Sequence, residues 1–339
     1  MSHSESRLPP RLRVLAGLPV LHRGDGGIQL GLDPRHAVVI EGVTKTVTES
    51  VRRLNGQART QDLLARVPDD ERPALRMLLR ELLRLGLLED ATKAGAPRRL
   101  TADATTWALR TGFRASQLAG SRRRSSVLVH GSGRIGVAVG SLLVAAGVGA
   151  VEVDAQGVVS AEDTGSGYRE QDVGRPRRVA AKLALEREGE VRHVVNPDLV
   201  VVTDSAVPEP EFVARLLENS VPHLGARVRE GIAIVGPFVV PGRSSCLSCA
   251  DLHRADLDTS WPTVAAQLVG RSLPADLACA HVTAALAAEQ ILQALNWLLT
   301  GRRRPPTWNT TIELDPFLGK VEHRSWPAHP GCSCGARRA

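Results

Sequence analysis

Residues 126–136 constrain the fold of this chain more than any other segment. An apolar run, SVLVH, leads into the glycine-rich turn GSGRIG, and a further apolar stretch predicts a helix over residues 137–146. Gly131 permits a tight turn, Gly133 lets the backbone approach a phosphate, and Gly136 lets the helix pack on the strand. The positive end of the helix dipole would then face the phosphate. The pattern therefore predicts an α/β, Rossmann-like fold.

Two later apolar runs end in a carboxylate, which extends the same pattern. Asp154 follows Gly131 by 23 residues, close to the roughly 20 expected of an acid that binds a ribose. Asp204 ends a buried run, at the strand tip where open α/β sheets place groups that contact a ligand. Asp204 fits a helix cap or a turn equally well. A scaffold that has lost its ligand remains an alternative, and so does a nicotinamide-dependent oxidoreductase.

Four of the five cysteines form two close pairs, Cys246/Cys249 and Cys332/Cys334, that lie 83 residues apart. In a reducing compartment such pairs indicate a metal site rather than disulfides. Four thiolates in a closed tetrahedral set suit structural zinc. We therefore predict a zinc site that fastens the C-terminal segment to the sheet domain. The alternatives are a site in which His329 or His323 replaces one thiol, and a redox-active CxxC.

The fifth cysteine, Cys279, is the candidate catalytic thiol. It precedes a predicted helix over about 282–298, whose dipole could lower the pKa of the thiol and create a nucleophile. Its neighbours are small and apolar, however, and this favours a buried structural cysteine.

The N-terminal part of the chain predicts a separate small domain. Turn residues divide residues 18–40 into three short strands, and Thr48, Thr60 and Pro73 are placed to begin three helices. Such an arrangement is typical of a winged-helix-type domain, which we place at 8–92. We interpret residues 93–122 as a linker with a lead-in helix, and we assign residues 123–335 to the Rossmann-like domain.

The charge and the aromatic content of the chain bear on whether it binds nucleic acid. Lys and Arg number 43 against 36 Asp and Glu, but only four of the 43 are lysine, and aromatic residues make up 3%. This arginine excess is weak evidence for nucleic acid, and few aromatic rings are available to stack on bases. A DNA-reading winged helix that uses Arg52, Arg53, Arg59 and Arg66 is the remaining nucleic-acid hypothesis. With no secretory signal and no apolar run of about 18 residues, we expect a cytoplasmic protein.

Taken in order, these motifs resemble those of the ThiF/MoeB, ubiquitin-activating-enzyme-like superfamily. The resemblance covers about 123–335 and includes GSGRIG, Asp154, the DVGxxR segment that ends at Arg177, Asp204 and the two cysteine pairs. It is stronger to the cyclodehydratase-associated ThiF-like proteins of thiazole/oxazole-modified peptide biosynthesis. Those proteins carry a winged-helix-type element that recognises a leader peptide, which residues 8–92 would match.

The resemblance implies a nucleotide site formed by the glycine-rich turn, Asp154, Arg177 and Asp204, at which Mg-ATP adenylates the C-terminal carboxylate of a small carrier protein. The chain departs from that pattern at three positions: Gln156 replaces a second aspartate, Arg177 replaces a lysine, and Ser205 replaces an asparagine. The site also lacks the asparagine and arginine that the resembling enzymes have shortly after Asp154, where only the displaced Arg169 could substitute. Arginine keeps the charge of lysine but differs in shape and hydration.

These departures favour a protein with a degraded ATP site. We expect it to bind a precursor peptide or carrier protein and present it to a partner enzyme, such as a YcaO-type cyclodehydratase. An ATP-dependent adenylyltransferase is the alternative. The resemblance also implies a homodimer.

Overall fold

The computed structural model of the chain describes residues 8–24, 26–93 and 95–336. The chain divides into two compact units, residues 1–120 and 121–339. Among the described residues, no helix is both long enough and apolar enough to span a membrane.

The first unit combines small sheets with short helices. Strands β2, β3 and β4 form an antiparallel sheet in which Val20 pairs with Leu30 and Ile28 pairs with Ile40. Strands β1 and β5 form a separate antiparallel pair. The elements are β1 (Leu12–Val14), β2 (Val20–Arg23), β3 (Gly27–Leu30), β4 (Val38–Ile40), α1 (Lys45–Arg52), α2 (Thr60–Ala65), α3 (Arg72–Arg84), β5 (Leu88–Asp90) and α4 (Thr101–Thr111).

Local sequence explains where these helices begin. Thr44 caps α1, because its Oγ1 accepts a hydrogen bond from the backbone N–H of Val47 at 3.2 Å. The helix therefore begins before Thr48, the residue expected to cap it. Helix α3 has a proline in its first turn, where the missing N–H leaves no helical hydrogen bond unmade. Its apolar face buries Leu75, Leu79 and Leu82.

The segment interpreted as a linker, residues 93–122, is largely helical. It contains a 3-10 turn over Arg98–Leu100, helix α4 and most of helix α5 (Ala115–Arg124). Ala104, Ala108 and Leu118 form a buried cluster with Leu15. The part of this segment up to Gly120 therefore belongs to the packed first unit.

Within the described residues, the second unit is built on a seven-stranded sheet of order β12-β11-β10-β9-β8-β6-β7. Strands β7, β6, β8 and β9 are parallel, and β10, β11 and β12 continue the sheet with antiparallel pairing. The strands are β6 (Ser126–His130), β7 (Ala150–Asp154), β8 (Leu199–Thr203), β9 (His223–Arg229), β10 (Ile232–Val239), β11 (Thr310–Asp315) and β12 (Lys320–Ser325). The result is a mixed α/β fold, as predicted.

Six helices accompany this sheet in the described part of the chain. They are α6 (Arg134–Ala145), α7 (Arg177–Glu186), α8 (Pro210–Glu218), α9 (Leu247–Leu257), α10 (Trp261–Leu268) and α11 (Leu277–Thr300). Helix α6 packs against α11 and β7. The four parallel strands end at one edge of the sheet, where His130 pairs with Asp154 and Thr203 pairs with Ala226. Polar residues at these strand ends therefore converge there.

Candidate functional site

The glycine-rich turn lies against the end of strand β8. The carboxylate of Asp204 accepts hydrogen bonds from the backbone N–H groups of Gly133 at 3.0 Å and Ile135 at 3.3 Å. It also accepts one from the hydroxyl of Thr203 at 2.9 Å. Burial raises the pKa of Asp204, and these hydrogen bonds oppose that shift. A carboxylate of the protein thus occupies the N-terminus of α6, a position that favours an anion.

Two of the glycines are required by this close approach. Gly131 has a φ of 140°, and a Cβ atom built there would overlap the hydroxyl of Thr203. A Cβ atom at Gly136 would lie 2.5 Å from the carbonyl oxygen of Gly131 and 2.9 Å from the Thr203 hydroxyl. Both glycines therefore permit packing within the protein, whatever the turn binds.

Asp154 lies at the end of β7 and pairs with a histidine of the neighbouring strand. Its Oδ2 is 2.9 Å from Nδ1 of His130, and this hydrogen bond lowers the pKa of Asp154. The ring of His130 stacks on Phe212 with the ring centroids 3.9 Å apart. The acid expected to bind a ribose is thus held by a side chain of its own sheet, although 45% of its side chain remains exposed.

Arg177, one of the residues expected to bind a nucleotide, lies beside the glycine-rich turn. Its Nη2 is 2.7 Å from Oδ2 of Asp163, and its Nη1 is 3.4 Å from the hydroxyl of Ser132. Asp163 also accepts a hydrogen bond from the backbone N–H of Ser160. The charge of Arg177 is therefore already paired with a carboxylate of the chain.

The glycine-rich turn and Asp204 border a cleft of about 150 Å³, which is lined by residues that include Gly131, Ser132, Asp204, Phe212 and Ser272, but not by Asp154 or Arg177. The structure thus brings Asp204, the turn and the end of β6 together, with Arg177 reaching Ser132. Sequence reasoning did not identify His130, Phe212 or Tyr168 as part of this region. Tyr168, the only tyrosine of the chain, is buried and donates a hydrogen bond to the carbonyl oxygen of Ser132 at 3.2 Å.

The four paired cysteines meet at one point in the second unit. Cys246 Sγ lies 3.8 Å from Cys249 Sγ and 3.6 Å from Cys332 Sγ, and Cys249 Sγ lies 3.6 Å from Cys334 Sγ. Zn–S bonds of about 2.3 Å in a tetrahedron place the sulfur atoms about 3.8 Å apart. The cluster therefore has the dimensions of a tetrahedral metal site.

Burial adds a second reason for a cation at this cluster. Cys246 and Cys249 are buried at the start of α9, and burial raises the pKa of the Cys246 thiol. Four thiolates at such distances repel one another, so the ionised form needs a compensating positive charge. The donor set and spacing fit a divalent metal.

The histidines considered as replacement ligands lie elsewhere. His329 Nε2 is 2.8 Å from Asp256 Oδ2 and belongs to a separate group of possible ligands with His253. His323 lies on β12, all of whose residues are exposed. Because all four thiols already meet, neither histidine is needed to complete the set.

Cys279 is in the first turn of α11 and is fully buried. Its thiol donates a hydrogen bond to the carbonyl oxygen of Gly231 at 3.2 Å, and burial raises its pKa. A nucleophilic cysteine needs a lowered pKa and access to substrate. These surroundings are those of a structural thiol.

No family model matches the sequence, and no curated protein matches it. Solved structures do match its fold. E. coli MccB in complex with MccA-N7isoASN has 16% sequence identity and a TM-score of 0.71, covering 96% of this chain and 99% of that chain. E. coli MccB with ATP has 16% identity and a TM-score of 0.70, covering 95% and 99%. PaaA has 16% identity and a TM-score of 0.69, covering 91% and 98%. The chain thus shares the fold of MccB and PaaA over nearly its whole length.

Proposed function

We propose that this chain binds a precursor peptide or small carrier protein and presents it to a partner enzyme in modified-peptide biosynthesis, without adenylating it. The proposal is supported by the ThiF/MoeB-like fold and by a solved neighbour, the microcin C7 biosynthetic enzyme MccB, which was determined in complex with N-formylated MccA. It also rests on how the chain's own residues use the nucleotide-type site.

The observation that carries the proposal is the position of Asp204. Its carboxylate takes the backbone N–H groups of Gly133 and Ile135 at the N-terminus of α6, where a Rossmann-like fold holds a phosphate. Arg177, which reaches Ser132 of the turn, is paired with Asp163. Arg134, within the turn, donates to the carbonyl oxygens of Thr164 and Ala275. Adenylyl transfer depends on positive charge placed to stabilise the phosphates. The groups that would supply it are thus engaged within the protein.

In this proposal the first unit is a winged-helix-type domain, and it binds the peptide. Strand β4 pairs with β3 on one side, and among the described residues no strand pairs with its other side. An extended peptide can add to such an edge through backbone hydrogen bonds. We propose that a leader peptide binds there, between β4 and α3. A YcaO-type cyclodehydratase as partner enzyme and a homodimeric state belong to the same proposal.

We further propose that Cys246, Cys249, Cys332 and Cys334 hold a structural zinc ion. A site with four thiolate ligands leaves no coordination position open, so the ion would stabilise the fold and take no part in catalysis.

The second candidate is an ATP-dependent adenylyltransferase, with Mg-ATP in the cleft beside the turn. The observation that favours it is the contact of Arg177 with Ser132 at 3.4 Å, which keeps a guanidinium next to the glycine-rich turn. In that case Gly131, Gly133, Gly136, Asp154, Arg177 and Asp204 would hold the nucleotide, and Asp204 and Arg177 would have to exchange their present partners for it.

ATP–pyrophosphate exchange separates the two candidates. The purified full chain is incubated with Mg-ATP and labelled pyrophosphate, with and without a candidate precursor peptide. The proposal expects exchange at background in both mixtures, together with binding of the peptide to the chain. Robust exchange that depends on the peptide would overturn it in favour of the adenylyltransferase, with Arg177→Ala as the variant that should then lose activity.

A further inference from the structure

A second cleft, of about 190 Å³, lies in the second unit and is distinct from the glycine-rich turn. It contains three arginines, Arg227, Arg229 and Arg254, beside an apolar wall. Two carboxylates, Glu230 and Asp251, also line the cleft, and its apolar wall includes Val207, Leu247, Trp261, Leu268 and Leu273. Three guanidinium groups around one small cavity repel one another unless anions accompany them.

Two of the three arginines have a carboxylate of the chain as partner. Arg254 Nη1 is 2.7 Å from Asp251 Oδ1, and its guanidinium also lies 5.3 Å from the ring centroid of Trp261. Arg229 Nη2 is 3.8 Å from Glu313 Oε2. The charges of these two arginines are thus largely balanced.

Arg227 has no such partner. Its side chain is partly buried and makes no hydrogen bond or ion pair with any described residue of the chain. Burial, with the neighbouring charge of Arg254, lowers its pKa to about 10, so the group is still charged at neutral pH. Of the carboxylates nearby, Asp251 and Glu313 act on Arg227 only through their charge, without an ion pair. The Arg227 guanidinium is therefore available to an anionic ligand, and pairing would lower the cost of its partial burial.

The position of Arg227 connects this arginine to the proposed function. Arg227 follows Ala226, which pairs with Thr203 in the parallel part of the sheet, and Asp204 follows Thr203. Pro208 lines both this cleft and the cleft beside the glycine-rich turn. A group held by Arg227 thus lies next to the region that other proteins of this fold class use for ligands.

We propose that Arg227 binds a carboxylate of the peptide substrate, with the apolar wall receiving the neighbouring carbon atoms. The proposal rests on the proposed function in that it takes the ligand to be a peptide. Guanidinium and carboxylate form paired hydrogen bonds, and a carboxylate is the anionic group that an unmodified peptide carries. The carboxylate belongs either to an acidic side chain or to a chain terminus, because both present the same group.

The experiment uses the full chain and three tripeptide probes. These are N-acetyl-Ala-Leu-Ala with a free C-terminal carboxylate, the same peptide as its C-terminal amide, and N-acetyl-Ala-Glu-Ala amide. Binding is followed by isothermal titration calorimetry and by tryptophan fluorescence, since Trp261 lines the cleft. We expect at least one carboxylate-bearing probe to bind and the neutral amide not to bind. Binding of the free acid identifies a chain terminus, and binding of the glutamate probe identifies a side chain.

Variants identify the residue responsible. Arg227→Gln should weaken binding at least tenfold, Arg227→Lys should weaken it less, and Arg178→Gln, which removes an exposed arginine of α7, should leave it unchanged. Because Arg227 forms no ion pair or hydrogen bond with the described residues, Arg227→Gln should not lower the melting temperature. Absence of binding by both carboxylate probes, or unchanged binding by Arg227→Gln, would overturn the proposal. Robust ATP–pyrophosphate exchange would instead overturn the proposed function and leave the carboxylate site standing.

Discussion

The carboxylate of Asp204 lies 3.0 Å from the backbone nitrogen of Gly133, so the end of strand β8 caps the first helix of the Rossmann-like domain. The two residues are 71 positions apart in the sequence. This contact connects a glycine motif that is usually associated with a bound phosphate to a side chain of the same chain. It is therefore the first interaction to test.

Replacing Asp204 should destabilise the second unit. Asp204→Ala removes the acceptor for the N–H groups of Gly133 and Ile135 and should lower the free energy of unfolding by about 1–2 kcal/mol. Asp204→Asn keeps one acceptor oxygen and should lower it by less. Urea unfolding measures both values. Glu162→Ala, which removes an exposed carboxylate, is the control. Equal stability of Asp204→Ala and the parent chain would contradict a capping role.

The cysteine cluster predicts one zinc ion per chain. Elemental analysis of protein purified without chelator should give a ratio near one, and Cys332→Ser should lose the metal. Loss of the ion should lower the melting temperature by about 5–10 °C. Ser333→Ala changes the residue between the two C-terminal ligands and should retain the metal. Unchanged metal content and melting temperature in Cys332→Ser would remove Cys332 from the ligand set.

Cys279 should be chemically inert in the folded protein. It is fully buried, and burial raises its pKa, so little thiolate is present at pH 8 and reagents cannot reach it. Iodoacetamide should leave Cys279 unmodified in the native state and alkylate it after unfolding in guanidinium chloride. Peptide mass spectrometry locates the modification. Rapid native alkylation of Cys279 would restore it as a candidate nucleophile.

The burial of His223 leads us to expect that the protein loses free energy of unfolding in acid. His223 is fully buried on β9, where Nδ1 donates to the carbonyl oxygen of Val221 at 3.0 Å, and Nε2 has no hydrogen-bond partner among the residues that the structure describes. Burial lowers its pKa to about 4, whereas an unfolded histidine has a pKa of about 6.5. The unfolded chain therefore binds an extra proton between these values. The contribution of neutral His223 to the free energy of unfolding is therefore fully present above pH 6.5 and is lost as the pH falls to 4.

The expected loss from His223 is about 3 kcal/mol in the free energy of unfolding over that interval. Urea unfolding at a series of pH values measures it. His223→Gln should show a shallower dependence on pH, and His281→Gln, at an exposed position of α11, should match the parent chain. A slope that is identical in His223→Gln and the parent would show that other groups cause the acid sensitivity.

Much of the architecture follows from local patterns. The run before the glycine-rich turn forms β6, and α6 begins at Arg134, because backbone conformation and helix packing both depend on glycines at these positions. The cysteine spacing likewise predicts a cluster, since two close pairs can each supply one edge of a tetrahedron. In both cases residues near one another in sequence carry the information.

The remaining features depend on contacts between distant residues. The pairing of Arg177 with Asp163 requires a particular path of the loop between β7 and α7, which composition does not specify. The mixed composition of segment 93–122, with Pro97 followed by two arginines, favours a linker, whereas its packing depends on contacts of Ala104 and Ala108 with Leu15, far away in the sequence. The missing partner of Arg227 becomes visible only when β9 is placed beside α9 and α10.

The cysteine cluster also brings together the two ends of a long segment of the chain. Between Cys249 and Cys332 the chain runs through α10, α11, β11 and β12 before it returns to α9. A metal ion at the cluster would make attachment of the returning segment a chemical equilibrium, set by the free metal concentration and by the oxidation state of the thiols. Oxidants and chelators would then both release the segment that carries β11 and β12. The rate of metal release could therefore measure how often this segment detaches.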